Sequence, residues 1–162
     1  MPLSPPQPIN ADDDLGPFDC GDELLSDWLR QQALGSEGAS ARTYVVKDRR
    51  RVVGYYCLAT GGVARETVPR KIRHGLPDPV PVMILGRLAV DKAYQRVGIG
   101  SSLLKDALQR TLQVSGQVGV RAVLVHAIDE EAKAFYATYG FIESPAGTRT
   151  LFLPLESVAK AL

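Results

Sequence analysis

Cysteine is scarce in this chain: Cys20 and Cys57 are the only two, far apart and with no Cys-x-x-Cys or Cys/His cluster around them. That argues against a zinc site, and no metal is expected. Both thiols are read as structural, because no neighbour in sequence supplies the base that a nucleophilic cysteine needs. Long apolar runs are also missing. No stretch approaches the roughly 20 apolar residues that cross a bilayer, and the opening MPLSPPQPINADDDLG has no basic start followed by an apolar run, so a cytoplasmic location with no membrane partner is expected. Net charge is nearly absent at +1, which excludes a uniformly basic or acidic protein but hides an uneven distribution. Asp12, Asp13, Asp14, Asp19, Asp22, Glu23 and Asp27 crowd the beginning. Arg42, Lys47, Arg49, Arg50, Arg51, Arg65, Arg70, Lys71 and Arg73 follow with few acids between them. The second region reads either as a solvated surface or as a surface for a polyanion.

What is present is the composition of an ordinary globular domain: 162 residues, 45% hydrophobic and 23% charged, enough for one core and a single domain over 1–162. Leu24, Leu25, Trp28 and Leu29 give residues 22–34 the stripe of a helix with one buried face. Residues 43–46 and 52–58 are rich in β-branched and aromatic side chains and read as a hairpin across the charged connection 47–51. From Gly61 to Pro81, repeated Gly and Pro predict a long loop with room for a short helix. A buried strand follows at 82–90, then a helix at 101–112 with Leu103, Leu104, Leu108 and Leu112 on one side. A strand at 120–127, a helix at 130–139 and a strand at 150–153 complete an α/β sheet of mixed strand directions.

The segment from Leu88 through Gly100 runs from a buried strand, through a glycine-bearing turn, into an amphipathic helix. Unpaired backbone N–H groups and the positive end of a helix dipole converge in such a turn, which suits a phosphate. Gly98 and Gly100 permit close approach and positive φ. The segment is not a Walker A loop, because Gly-Lys-Ser/Thr is missing, and the three-glycine dinucleotide spacing is missing as well. Alone, two glycines here also suit a plain structural turn.

Gln95, Gly98 and Gly100 match the Gln/Arg-x-x-Gly-x-Gly/Ala pattern of the GNAT acetyltransferases. Ala132, Phe135, Tyr136, Gly140 and Phe141 match a second motif of that family at the right distance. The chain therefore resembles a GNAT N-acetyltransferase. The resemblance implies a GNAT fold: a mixed, mostly antiparallel central sheet with a splayed strand pair, flanked by helices. It also implies acetyl-CoA as cosubstrate, held by Leu88, Ala89 and Val90 along the strand, by Gln95, Arg96, Val97, Gly98, Ile99, Gly100 and Ser101 in the turn, and by Asp129 and Phe135. Asp129 stands where the family has Asn, and a carboxylate cannot donate as an amide can. Arg96 and Val97 stand where many members have Gly then Lys/Arg, which moves the cation by one position.

Acetyl transfer to an amine needs a neutral amine, a polarised thioester carbonyl and a proton for the departing thiolate. By resemblance Tyr136 is the general acid; read from the residues alone, Phe135, Tyr136 and Tyr139 are also consistent with aromatic packing. Glu130, Glu131 and Asp129 fall in a helix's first turn, where acids stabilise the dipole or cap the end, and this competes with any role as a base. His126, at a strand end, reads as a hydrogen-bonded core histidine or as a site residue. Arg87 interrupts an apolar strand and must find an anion or a water-filled cleft, through a structural ion pair or through substrate.

From about Phe18 onward, Phe18-Asp19-Cys20-Gly21, the Trp28-Leu29 helix, Arg42 to Val45, Val53 to Tyr56, Pro79 to Val90 and Val125 to Asp129 resemble the aminoacyl-tRNA-acetylating toxins of bacterial toxin–antitoxin systems. That resemblance implies acetylation of the α-amine of aminoacyl-tRNA, a block of translation, inhibition by a ribbon-helix-helix antitoxin, and a homodimer. Arg70, Lys71 and Arg73, with Arg87, are the candidate substrate contacts. A GNAT enzyme acting on a protein or small-molecule amine is the alternative. A silent GNAT-like binding module is the reading from another class, and intact Gln95, Gly98, Gly100 and Tyr136 argue against it.

Overall fold

A computed structural model describes residues 2–147 and 149–162. The element order is β1 (Gln7–Pro8), α1 (Glu23–Gln31), α2 (Ala33–Ser36), β2 (Arg42–Asp48), β3 (Arg51–Val63), α3 (Arg70–Arg73), β4 (Val80–Val90), α4 (Ile99–Ser115), β5 (Ala122–His126), α5 (Glu130–Ala137), β6 (Ile142–Glu143), β7 (Thr150–Pro154) and α6 (Leu155–Val158). The strands form a seven-stranded sheet in the order β1-β2-β3-β4-β5-β7-β6. Of the registered pairs, β4–β5 is parallel, and β1–β2, β2–β3, β5–β7 and β6–β7 are antiparallel. This is the expected mixed, mostly antiparallel sheet. Its contacts divide the chain into two compact units, Met1–Ala59 with Gly86–Ala107, and Thr60–Leu85 with Leu108–Leu162.

In the first unit, α1 starts because Asp22 accepts the N–H of Leu25 at 3.0 Å, a side-chain cap on an otherwise orphaned donor. Its buried stripe is Leu25, Trp28 and Leu29, spaced by three and four; Leu29 is fully buried, while Leu24 is 83% exposed. The expectation that Leu24 joins that face is therefore wrong. One residue before Leu25, it points about a quarter-turn away from the stripe, and Ser26 fills the buried surface instead, accepting the N–H of Cys20 at 3.0 Å. Phe18, Leu29, Ala33, Val45, Val52, Tyr55, Cys57 and Ala89 form the core cluster there. A fully buried side chain of this kind stabilises the fold by about 1.5–3 kcal/mol.

Strand alternation sends Tyr55 and Cys57 to that cluster and Gly54 and Tyr56 to the other face, where the Tyr56 hydroxyl donates to Asp106 of α4. Gly54 is required by proximity. A Cβ there would lie 2.9 Å from Ile99 Cγ2 and 3.2 Å from Leu103 Cδ1. The missing side chain seats the first turn of α4 directly on β3.

In the second unit Val68, Val80, Val82, Ala122, Leu124 and Phe152 form the core. Every residue of β5 from Ala122 to Val125 is buried, as expected of a strand covered on both faces. The predicted loop from Gly61 is shorter than expected because β3 runs on to Val63. Gly61 interrupts nothing, since its empty Cβ position is filled by Ile84 Cδ1, which a methyl would approach to 2.6 Å. A 3-10 turn at Arg65–Thr67 and the one-turn α3 complete the connection.

Replacing Gly54 with alanine is expected to cost about 1–3 kcal/mol through overpacking. In a double-mutant cycle with Ile99→Ala, which removes the colliding Cγ2, part of that cost should be recovered; strict additivity by chemical denaturation would refute the close approach.

Candidate active site

In the first unit, β4 is followed by Asp91, which is 1% exposed. A buried carboxylate needs donors or a cation, because an unmatched charge is strongly destabilising. Its Oδ2 accepts the N–H of Asp19 at 3.1 Å and faces Arg51 Nη2 at 3.2 Å, and its Oδ1 accepts the N–H of Ala93 at 2.9 Å. The Asp91 N–H donates to the Val53 carbonyl at 2.8 Å. Asp91 thereby caps a 3-10 turn at Lys92–Tyr94. Arg51 also lies over the Tyr94 ring at 5.2 Å, and the Tyr94 hydroxyl donates to Asp48 at 2.7 Å, a bond that raises its ionisation above the usual phenol range.

The expected phosphate turn follows. Gln95 Nε2 donates to the Val90 carbonyl at 3.0 Å, tying the turn to the strand it leaves. Arg96 has φ 67° and Gly98 φ 90°. At Gly98 a Cβ would meet nothing within 4 Å, so backbone conformation, not space, requires glycine there. Arg96 takes the same left-handed conformation at a cost of about 1–2 kcal/mol. Gly100 has no such need, since it lies in the first turn of α4. Ile99 is buried, and Val97 is 67% exposed.

The ladder of α4 is entered by Ser102 N–H on the Gly98 carbonyl at 3.1 Å. Among the described residues, the N–H groups of Gly98, Ile99 and Gly100 donate to nothing. Free amides at the positive end of a helix of 17 residues fit a pyrophosphate without further charge. Before the turn, β4 is registered with β5 only over Val82–Leu85, although it continues to Val90. Ala89 is buried, and Leu88 and Val90 are half-buried.

Arg87, half-buried on β4, places its guanidinium 4.0 Å from the centroid of the Trp28 ring, which itself stacks on Tyr55 at 6.1 Å. Among the described residues it has no carboxylate partner, so the structural ion pair considered from the sequence does not form there. The face of Trp28 supplies the compensation. Cys57 is buried, its thiol pushed up to about 11 by that burial and 3.5 Å from Thr43 Oγ1, an inert setting for a cysteine.

In the second unit, Asp129 caps α5, its Oδ1 accepting the N–H of Ala132 at 2.8 Å. Glu130 faces Arg149 at 3.2 Å and Lys133 at 3.8 Å, so it serves as a surface ion-pair partner. His126 is exposed, with Nδ1 2.9 Å from Thr150 Oγ1; its reading as a core histidine fails because it occupies the last, open position of β5. Tyr136 is 6% exposed and packs against Phe135 at 5.4 Å and Phe141 at 5.5 Å. Its hydroxyl makes no hydrogen bond with a described residue. Burial raises its ionisation well above that of an ordinary phenol, which keeps it protonated. Phe135 is half-buried and also meets Tyr139 at 5.4 Å.

Three cations of the basic stretch find carboxylates, one of them in the acidic start. Lys47 pairs with Asp13 at 2.7 Å, Arg51 with Asp91 at 3.2 Å and Arg42 with Glu37 at 3.6 Å, while Arg50 donates to the Asp12 carbonyl at 2.9 Å. Arg73 bonds the Val68 carbonyl at 2.7 Å and the Glu66 carbonyl at 2.8 Å and braces its own loop. Arg70 and Lys71 are exposed and contact no described partner. Asp91 and Gly54 are the site-shaping residues that sequence reasoning missed. For Asp91, the sequence shows only an acid directly after an apolar strand, which does not tell a buried carboxylate from a solvated one.

A model of the acetyltransferase (GNAT) domain matches residues 39–143. The chain is 44% identical over 161 residues to a tRNA-acetylating toxin of Mycobacterium tuberculosis (strain ATCC 25618 / H37Rv), covering 98% of this chain and 96% of that protein. AtaT complexed with acetyl-methionyl-tRNAfMet is 30% identical at a TM-score of 0.89, with 98% of each chain covered. A mutant AtaT toxin bound to the C-terminus of the antitoxin AtaR and to acetyl-CoA is 30% identical at a TM-score of 0.83, covering 99% of this chain and 97% of that one.

An ionisation raised in the folded state makes a tyrosine stabilising below its unfolded value, near about 10, and this contribution is lost as pH rises above it. Stability of Tyr136→Phe, followed by denaturation between about pH 8 and 11, should fall less steeply than that of the parent. Parallel slopes would show that Tyr136 ionises as it does in the unfolded chain.

Proposed function

The chain belongs to the GNAT acetyltransferase family, and from that premise we propose that it moves the acetyl group of acetyl-CoA to the α-amine of an aminoacyl-tRNA, as the toxin of a toxin–antitoxin pair. Identity of 44% over nearly the whole of a tRNA-acetylating toxin carries this reading. In the same proposal it blocks translation in the cytoplasm, acts as a homodimer and is neutralised by a ribbon-helix-helix antitoxin.

The amides of Gly98, Ile99 and Gly100 hold the pyrophosphate. Gln95, Arg96, Val97 and Ser101 complete the turn, and the backbone of Leu88, Ala89 and Val90 offers hydrogen bonds to the pantetheine arm. Asp129 contributes through its exposed second oxygen and Phe135 through its ring. Acetyl-CoA supplies the activated acyl group, so the protein needs no nucleophile of its own. The substrate amine attacks the thioester carbonyl, and the C–S bond breaks. Tyr136 gives its phenolic proton to the departing thiolate and is reprotonated by the proton the amine releases. An α-amine titrates near about 7.7–8.0 and an adjacent ester lowers it further, so enough is neutral without a protein base. Arg87, Arg70 and Lys71 meet tRNA phosphates, and Arg73 supports them by bracing the loop.

Labelled acetyl-CoA offered with charged tRNA, protein and small-amine pools should label the charged tRNA; label confined to another pool would sink the substrate assignment. Tyr136→Phe should bind acetyl-CoA normally and lose about a hundred- to ten-thousandfold in single-turnover acetylation, and equal rates would remove it as the acid. Neutralising Arg70 and Lys71 together should flatten the log–log salt dependence of tRNA binding by about 0.7–0.9 per lost contact. Arg73→Gln should instead lower thermal stability. An unchanged salt slope would place the RNA elsewhere.

A further inference from the structure

Phe18-Asp19-Cys20-Gly21 belongs to none of the steps above, yet its backbone is bound to the strand end from which the phosphate turn departs. The Asp19 N–H donates to Asp91 Oδ2 at 3.1 Å, and Lys92 returns the contact through its N–H to the Asp19 carbonyl at 2.9 Å. The Asp19 carboxylate accepts the N–H of Gly21 at 2.9 Å and pairs with Lys92 at 3.0 Å. Arg51, at the start of β3, closes the group on Asp91 at 3.2 Å.

We propose that the Asp91 carboxylate is a positioning residue for acetyl-CoA, holding the pyrophosphate-binding turn in its left-handed course by joining the Asp19 segment, Arg51 of β3 and Ala93 of the turn. The proposal rests on the acetyl-CoA reading. Its physical basis is conformational. Arg96 at φ 67° and Gly98 at φ 90° follow Asp91 closely, and a non-glycine residue persists in such a conformation only where its surroundings over-determine it. Gln95, bonded to Val90, and Asp91, bonded to Ala93, are the restraints on the N-terminal side. Without the carboxylate, the turn relaxes toward ordinary backbone conformations and the amides of Gly98, Ile99 and Gly100 no longer converge. Binding then carries the cost of reordering them.

The experiment compares the full chain with Asp91→Asn for binding and kinetics with two acetyl donors, acetyl-CoA and S-acetylpantetheine, the second lacking the pyrophosphate. The expected result is a rise of about tenfold or more in Kd and KM for acetyl-CoA, the scale of a lost hydrogen bond to a charged group. With it should come an unchanged kcat at saturation and an unchanged KM for S-acetylpantetheine. Equal losses with both donors, or a fall in kcat alone, would overturn the positioning role and leave Asp91 a general stabiliser. Should Asp91→Asn fail to fold, Arg51→Gln, which removes the cation from the partly exposed side of the group, takes the same measurements with the same outcomes. Failure of the parent protein to bind acetyl-CoA would overturn the acetyltransferase reading and the positioning role together. Binding by the parent that Asp91→Asn leaves intact would overturn the positioning role alone.

Discussion

A carboxylate buried at the end of a strand cannot be left unmatched, and Asp91 is matched by a backbone amide from one segment, a guanidinium from another and an amide from the turn it opens. This requirement sets the direction in which the chain leaves β4. A hydrophobic residue there would pack as well but would specify no direction, because apolar contact is not directional. On the other side of β3, Gly54 lets Ile99 and Leu103 sit against the backbone and so fixes where α4 begins. The turn is held at both ends, by charge where it starts and by close packing where it finishes.

That arrangement explains how a residue other than glycine occupies position 96. The sequence departs from the family pattern by placing arginine there, and the backbone still takes the positive φ that glycine would adopt freely. The cost, about 1–2 kcal/mol, is comparable to one or two net hydrogen bonds. Exposed Arg96 gains from the exchange a cation beside amides that already attract anions.

Much of the fold was legible from local composition and period. Runs of β-branched, aromatic and apolar residues marked β2, β3 and β5, and the three-and-four spacing marked α1 and α4. What escaped had no period to show. β1 and β6 are two residues each. Gly61 was read as a breaker, although it is a strand residue whose missing side chain is replaced by Ile84. The charge pattern was legible as segregation, but the pairing of Asp13 with Lys47 spans 34 positions, which no local window contains. In the site, the turn was readable from its glycines. Asp91 was not, since a single acid after a strand looks the same whether it is solvated or buried.

In the second unit, two carboxylates at the start of α5 are occupied by structure: Asp129 caps the helix and Glu130 faces two cations. His126 stands exposed beside Thr150. Tyr136 differs in kind. Burial among Phe135 and Phe141 disfavours the phenolate and keeps Tyr136 protonated. In the proposed transfer, burial raises the basicity of a departing thiolate by penalising its negative charge, as it does for the phenolate. Proton transfer exchanges one disfavoured anion for another, and the amine's released proton removes the second. The proposed chemistry therefore needs a buried neutral donor and a nucleophile already deprotonated in sufficient amount near neutral pH, and an aminoacyl ester's α-amine meets that condition where a lysine side chain, titrating near about 10.4, would not.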